Sequence, residues 1–221
     1  MELLEFINLN NLSNLNNLDL LAKGGPVMLI LFGFSIFAFA IIFAKLIQFF
    51  AVALSQTSKI EEILEKLNGS NSKKLLLDIQ KIKNPIARII EVVIETKSDR
   101  RFDKESREAE ISRIISIEIR NLENYLGGLE VIASISPLLG LFGTVLGMIK
   151  AFLNLEKAGS QIDPALLAGG IWEALLTTAF GLAIAIPALA AFHLFENKIS
   201  NTRDKINDTV VRTNTLLNFK K

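Results

Sequence analysis

The chain contains no cysteine and a single histidine, His193. That excludes disulfides, thiolate metal sites and a cysteine nucleophile, and leaves little for zinc or triad chemistry. An excess of charge of either sign is also missing. The 24 basic residues stand against 23 acidic ones in 221 positions, so no single-sign field draws in nucleic acid or an acidic substrate. Charge as a whole is sparse at 21%, whereas half of the residues are hydrophobic and the mean hydropathy is +0.40. A soluble domain of that composition would not stay dispersed, so the composition points to lipid. No basic segment precedes the first apolar stretch. Glu2 and Glu5 stand there instead, so no cleaved leader is expected and the first membrane helix must direct insertion.

What is present is organised in long helical stretches. Residues 1–23 interleave Leu9, Leu12, Leu15 and Leu18 with asparagines, the pattern of an amphipathic helix lying along the periplasmic face of a membrane. Gly24, Gly25 and Pro26 break the chain, and 26–52 is long and apolar enough to be the first transmembrane helix. Lys45 near its far end is expected to snorkel to the headgroups. Residues 55–128 turn polar and form a cytoplasmic helical domain, with helical periodicity in Ile60, Ile63, Leu64 and Leu67 and again in Ile86, Ile89, Ile90 and Val93. A turn is expected at Asn68–Ser72 and a fresh helix at Asn84-Pro85. A third helix starts near Asp103, and its apolar positions Ile111, Ile114, Ile115, Ile119 and Leu122 lead on without a strong breaker. The pattern predicts a helix that continues into the membrane.

The second transmembrane helix is placed at 129–152 in spite of Pro137, a periplasmic loop at 153–165, and the third transmembrane helix at 166–195 with Glu173 and Pro187 inside it. Residues 196–221 read as a cytoplasmic C-terminal helix with an apolar seam. Lysine and arginine near the span ends place the N-terminus outside and the C-terminus inside. The fold class is an all-α integral membrane protein with three transmembrane helices, its long helices extending into a cytoplasmic helical domain.

Within the second span Gly140, Gly143 and Gly147 recur at spacings of three and four, which lets helices approach closely in lipid. Thr144 lies beside that face. Its hydroxyl either bonds back to the carbonyl four residues earlier or has a functional role. In the third span Glu173, Thr177, Gly181 and Ala185 recur every four residues, so an acid, a hydroxyl and two small side chains share one stripe. An acid in a span costs about 2.5–3.5 kcal/mol on insertion scales, and such groups face a partner or a hydrated path unless they reach water at a helix end. The first reading is adopted, with Trp172 as an interface anchor and His193 as an interfacial residue. Three helices do not enclose a hydrated path, and the two stripes would otherwise face lipid, so an oligomer or a partner helix is expected. Paired intramembrane aspartates and a nucleophilic serine motif are both missing. No enzyme activity, cofactor or metal site is therefore expected.

The run Ser136-Pro137-Leu138-Leu139-Gly140-Leu141-Phe142-Gly143-Thr144-Val145-Leu146-Gly147, then Gly170-Ile171-Trp172-Glu173-Ala174-Leu175-Leu176-Thr177-Thr178-Ala179-Phe180-Gly181-Leu182 and Ile186-Pro187-Ala188, resembles the MotA/TolQ/ExbB proton channel family. The layout of spans resembles the ExbB/TolQ branch, whereas the MotA branch has one more span before its cytoplasmic domain. The resemblance implies a pentamer whose second and third helices line a pore around an ExbD- or TolR-like single-span partner, which brings the protonatable aspartate. It further implies that proton motive force is converted to mechanical work through a TonB- or TolA-like protein, for TonB-dependent uptake or Tol-Pal envelope function. The family's pore threonines correspond to Thr144 and Thr178, and its pore glutamate to Glu173. Thr177 is an added hydroxyl where relatives often have alanine, and either of the adjacent threonines is a candidate to meet the partner. A non-conducting membrane scaffold that oligomerises and clusters partners is the alternative function.

Overall fold

The computed structural model describes residues 25–53, 77, 79, 80, 82, 84–99, 101–158 and 164–218. The expected interfacial helix at 1–23, the Ile60–Leu67 periodicity and the Asn68–Ser72 turn lie outside the described residues. Five helices run through the described parts: α1 Gly25–Ala53, α2 Pro85–Ser98, α3 Lys104–Glu123, α4 Leu126–Ala158 and α5 Pro164–Asn218. Among the described residues there is no strand. Three of the helices are long and apolar enough to cross a membrane, over Gly25–Phe50, Leu126–Lys157 and Leu167–Leu217. At about 1.5 Å per residue each exceeds a hydrocarbon core roughly 30 Å thick. The protein is an all-α, multi-pass membrane protein.

The chain divides into two compact units, the described parts of Met1–Ala40 with Gly128–Ala191, and of Ile41–Gly127 with Phe192–Lys221. In the first unit α1 starts at Gly25, whose φ of +63° suits a residue without a Cβ, with Pro26 next. Leu29, Ile30, Phe32, Ile36, Phe37 and Phe39 point outward on α1, which is the exposure that lipid stabilises. Helices α4 and α5 carry the close contacts described below.

The second unit is built on α2 and α3. Asn84 precedes α2 in extended backbone and accepts a hydrogen bond from the Ile86 N–H at 2.8 Å, and Pro85 follows at the first helical position. Ile86, Ile89, Ile90 and Val93 are all buried, at the helical spacing read from the sequence. Asp103 caps α3 by accepting from the Ser106 N–H at 2.7 Å, and that bond to the backbone holds its carboxyl below the usual carboxylate range. Arg88 of α2 pairs with Glu118 of α3 at 3.3 Å.

Two expectations fail here. Helix α3 does not continue into the membrane span. It stops at Glu123, the Asn124 N–H closes on the Arg120 carbonyl at 3.0 Å, and Tyr125 takes φ +68° before α4 begins. A left-handed aromatic residue is disfavoured, and the Tyr125 side chain stands 75% exposed at the break. Lys45 does not snorkel to headgroups. Its side chain is fully buried, and its ammonium donates to the Leu122 carbonyl at 2.7 Å and to Gln48 Oε1 at 2.8 Å. Gln48 Nε2 donates to the Asn121 carbonyl at 3.3 Å. The last carbonyls of α3 have no intrahelical partner and carry the negative end of the helix dipole, so a cation delivered by α1 satisfies both needs. Phe49 stacks on Phe195 with ring centroids 5.5 Å apart, and Arg203 of α5 pairs with Glu123 at 2.7 Å.

Helix α4 also outlasts its expected end. Leu153 to Ala158 are helical, so the loop expected at 153–165 begins later and ends where Pro164 opens α5. Helix α5 continues unbroken past Phe195 to Asn218, joining the expected third span and the C-terminal helix, with Pro187 inside it.

Candidate functional site

The candidate site lies where α4 and α5 touch. Gly140, Gly143 and Gly147 on α4 face Thr177, Thr178, Ala174 and Gly181 on α5. A Cβ built on Gly140 would stand 3.0 Å from the Thr177 carbonyl oxygen and from the Thr178 Cα, and one on Gly143 would stand 2.5 Å from Thr177 Oγ1. On Gly181 it would stand 2.5 Å from the Ser136 carbonyl oxygen. Backbone therefore meets backbone along this seam, an approach only glycine permits. Pro137 lies in the same stretch of α4, half-buried, and leaves the carbonyl four residues before it without its helical N–H. Pro187 lies on the exposed side of α5.

The hydroxyls divide into two groups. Thr177 is buried at 2% exposure, and its Oγ1 donates to the Ala174 carbonyl at 2.7 Å and reaches the Gly140 carbonyl at 3.2 Å. Thr178 is half-buried and donates to the same Gly140 carbonyl at 3.2 Å. Thr144 is half-buried on α4 and donates to Leu141, three residues earlier and not four, at 2.6 Å. It lines an apolar surface groove of about 550 Å³ with Val145, Met148, Ile149 and Phe152. Each hydroxyl proton is thus committed to a carbonyl, and what each threonine offers its surroundings is a pair of acceptor lone pairs.

Glu173 sits one turn before Thr177. Its carboxylate, 24% exposed, meets the Lys150 ammonium at 3.4 Å from both oxygens. Glu173, Lys150 and Thr177 share a cavity of about 100 Å³ with the first turn of α1. The stripe Glu173, Thr177, Gly181, Ala185 therefore turns toward α4 inside the same chain. This overturns the expectation that the two stripes would face lipid without an oligomer, because they cover one another. Trp172 is 58% exposed, and His193 is exposed beside Glu196 at 3.3 Å. Among the described residues no three metal-ligating side chains gather.

Sequence reading missed Lys150 as the partner of Glu173. The loop expected at 153–165 hid it: only with helix ends at Ala158 and Pro164 does Lys150 lie eight residues before the end of α4 and Glu173 nine after the start of α5. In an antiparallel pair of helices those positions share a depth. It also missed Ser136, fully buried, whose Oγ donates to the Ile132 carbonyl at 2.6 Å next to the Gly181 contact.

Comparison with known proteins gives a consistent set. The profile of the MotA/TolQ/ExbB proton channel family matches residues 81–208, more than half of the chain. An ExbB homologue of Methanothermobacter thermautotrophicus is 28% identical over 189 residues, covering 85% of this chain and 66% of that one. Biopolymer transport protein exbB1 of Vibrio cholerae is 33% identical over 168 residues, 74% of this chain and 73% of that one. Tol-Pal system protein TolQ of Haemophilus influenzae is 45% identical over 83 residues, 38% of this chain and 36% of that one.

Proposed function

Because the chain belongs to the MotA/TolQ/ExbB proton channel family, in its ExbB/TolQ branch, we propose that it is an inner-membrane proton-channel subunit that works with an ExbD/TolR-like single-span partner. The observation that supports this most directly is the placement of Glu173. An acid within an apolar helix is three-quarters covered, 3.4 Å from the Lys150 ammonium and one turn from Thr177. Groups so placed bind or pass ions, since a carboxylate in hydrocarbon would otherwise cost several kcal/mol of order.

In this reading several copies, a pentamer by the family resemblance, surround the partner helix, and the groove beside Thr144 receives it. Five outward apolar positions, Leu138, Leu141, Val145, Ile149 and Phe152, follow one face of α4 at helical spacing, which supports a helical occupant there. Protons then pass from outside to the cytoplasm by way of Glu173, the threonine lone pairs and the partner's aspartate. Each charge falling through about 100 mV releases roughly 2.3 kcal/mol for moving the partner. A TonB- or TolA-like protein carries the work outward. The N-terminus is periplasmic and the C-terminus cytoplasmic.

The test is proton flux in vesicles holding the chain with its single-span partner. Glu173→Gln, and separately Thr144→Val and Thr178→Val, should lose flux and the coupled envelope function while the complex still assembles. No flux in the parent, with the envelope function unchanged in all three variants, would mean a scaffold that clusters its partners without conducting.

A further inference from the structure

Glu173 and Thr144, which the family motif joins in one path, open onto different spaces. Thr144 lines the 550 Å³ groove on α4, and Glu173 is not among the described residues of that groove. Glu173 instead lines the 100 Å³ cavity with Lys150 and Thr177, closed on one side by Gly25, Pro26 and Val27 of α1. That volume holds a few water molecules at about 30 Å³ each. Its wall carries the partners water needs. Lys150 donates, the Glu173 carboxylate accepts, and Thr177, whose proton is turned to the Ala174 and Gly140 carbonyls, presents lone pairs. The Lys150 side chain at its rim is 66% exposed, so the cavity reaches the surface beside it.

We propose that this cavity is a water-filled proton antechamber belonging to each chain, in which Lys150 positions the Glu173 carboxylate. Protons reach Glu173 through the space between the first turn of α1 and the α4–α5 pair, not along the Thr144 groove. Lys150 is a positioning residue: its ammonium, spread over both carboxylate oxygens, holds the acid toward the water and away from lipid. The only charged side chains among the cavity's described residues are these two. The proposal rests on the proton-channel reading above.

The chain has no cysteine, so Val27→Cys places a single thiol on the cavity wall. The chain is reconstituted with its single-span partner, treated with silver ion, a thiol-seeking cation small enough for a space of about 100 Å³, and assayed for proton flux beside the cysteine-free parent. Flux is compared in the same variant before and after treatment. The thiol should then react, and flux should be abolished. A thiol that stays unmodified would show a dry cavity, and a labelled thiol with unchanged flux would show a cavity off the path; either overturns the proposal. Leu146→Cys, on the same wall, serves if Val27→Cys fails to assemble. In parallel, Lys150→Arg should retain flux and Lys150→Met should lose most of it, and equal flux in the two removes the positioning role. Absence of flux in the parent complex sinks the channel reading itself, and Glu173→Gln that still conducts takes Glu173, and the antechamber with it, off the path. Loss in Glu173→Gln with flux retained in labelled Val27→Cys sinks the antechamber alone.

Discussion

Gly181→Ala puts one methyl group where α5 meets α4 most closely. The new Cβ would lie 2.5 Å from the Ser136 carbonyl oxygen and 3.1 Å from the Gly140 Cα, and both neighbours are backbone. Real Cβ contacts essentially never fall under 3.0 Å and are ordinary from 3.4 Å, so the helices must part by about 0.5–0.9 Å at this point. The Thr177 and Thr178 bonds to the Gly140 carbonyl, already 3.2 Å long, then stretch beyond hydrogen-bond range. Overpacking of this kind costs about 1–3 kcal/mol, and each lost interhelical bond in a membrane protein adds about 0.6 kcal/mol. The total is roughly 2–4 kcal/mol of stability. Gly169→Ala on the same helix is the control, because a Cβ there meets nothing within 4 Å. It should be neutral or stabilise by up to about 1 kcal/mol through helix propensity. The assay is unfolding of both variants in mixed micelles against a denaturing detergent, followed by the loss of helical circular dichroism. Equal midpoints for Gly181→Ala and Gly169→Ala would refute the close approach of α4 and α5.

Two further outcomes are expected. Lys45→Met leaves the end of α3 uncapped at about 1–3 kcal/mol, so amide exchange in residues 119–123 should accelerate while α2 stays protected; unchanged exchange would mean that the ammonium belongs to the headgroups after all. Asp103 has a folded-state pKa held below the unfolded one by the Ser106 N–H, so its stabilisation is complete above the ordinary carboxylate range and is lost as pH falls through the lowered value. Asp103→Asn, which can still cap, should flatten that part of the acid limb of a stability-against-pH curve, and an unaltered limb would show that the cap contributes nothing there.

Residue order alone determined much of this protein. Lengths of uncharged chain locate three membrane helices, because the bilayer admits nothing shorter than its own thickness. Glycines three and four apart on α4 identify a close-packing face, and Asn84-Pro85 and Asp103 mark helix starts through donors they alone can satisfy. Periodicity shows which side chains share a face, but not which face meets which. Thr177 and Thr178 are adjacent in the chain, yet only the register of α5 against α4 decides that the first is sealed against the Gly143 face and the second is half-open. The same register brings Lys150 to Glu173, separates that acid from the groove of Thr144, and turns the small-residue stripe inward. The burial of Lys45 is likewise a tertiary decision. A buried ammonium is unfavourable by itself, and it persists because the last carbonyls of α3 need a donor that lies far away in sequence.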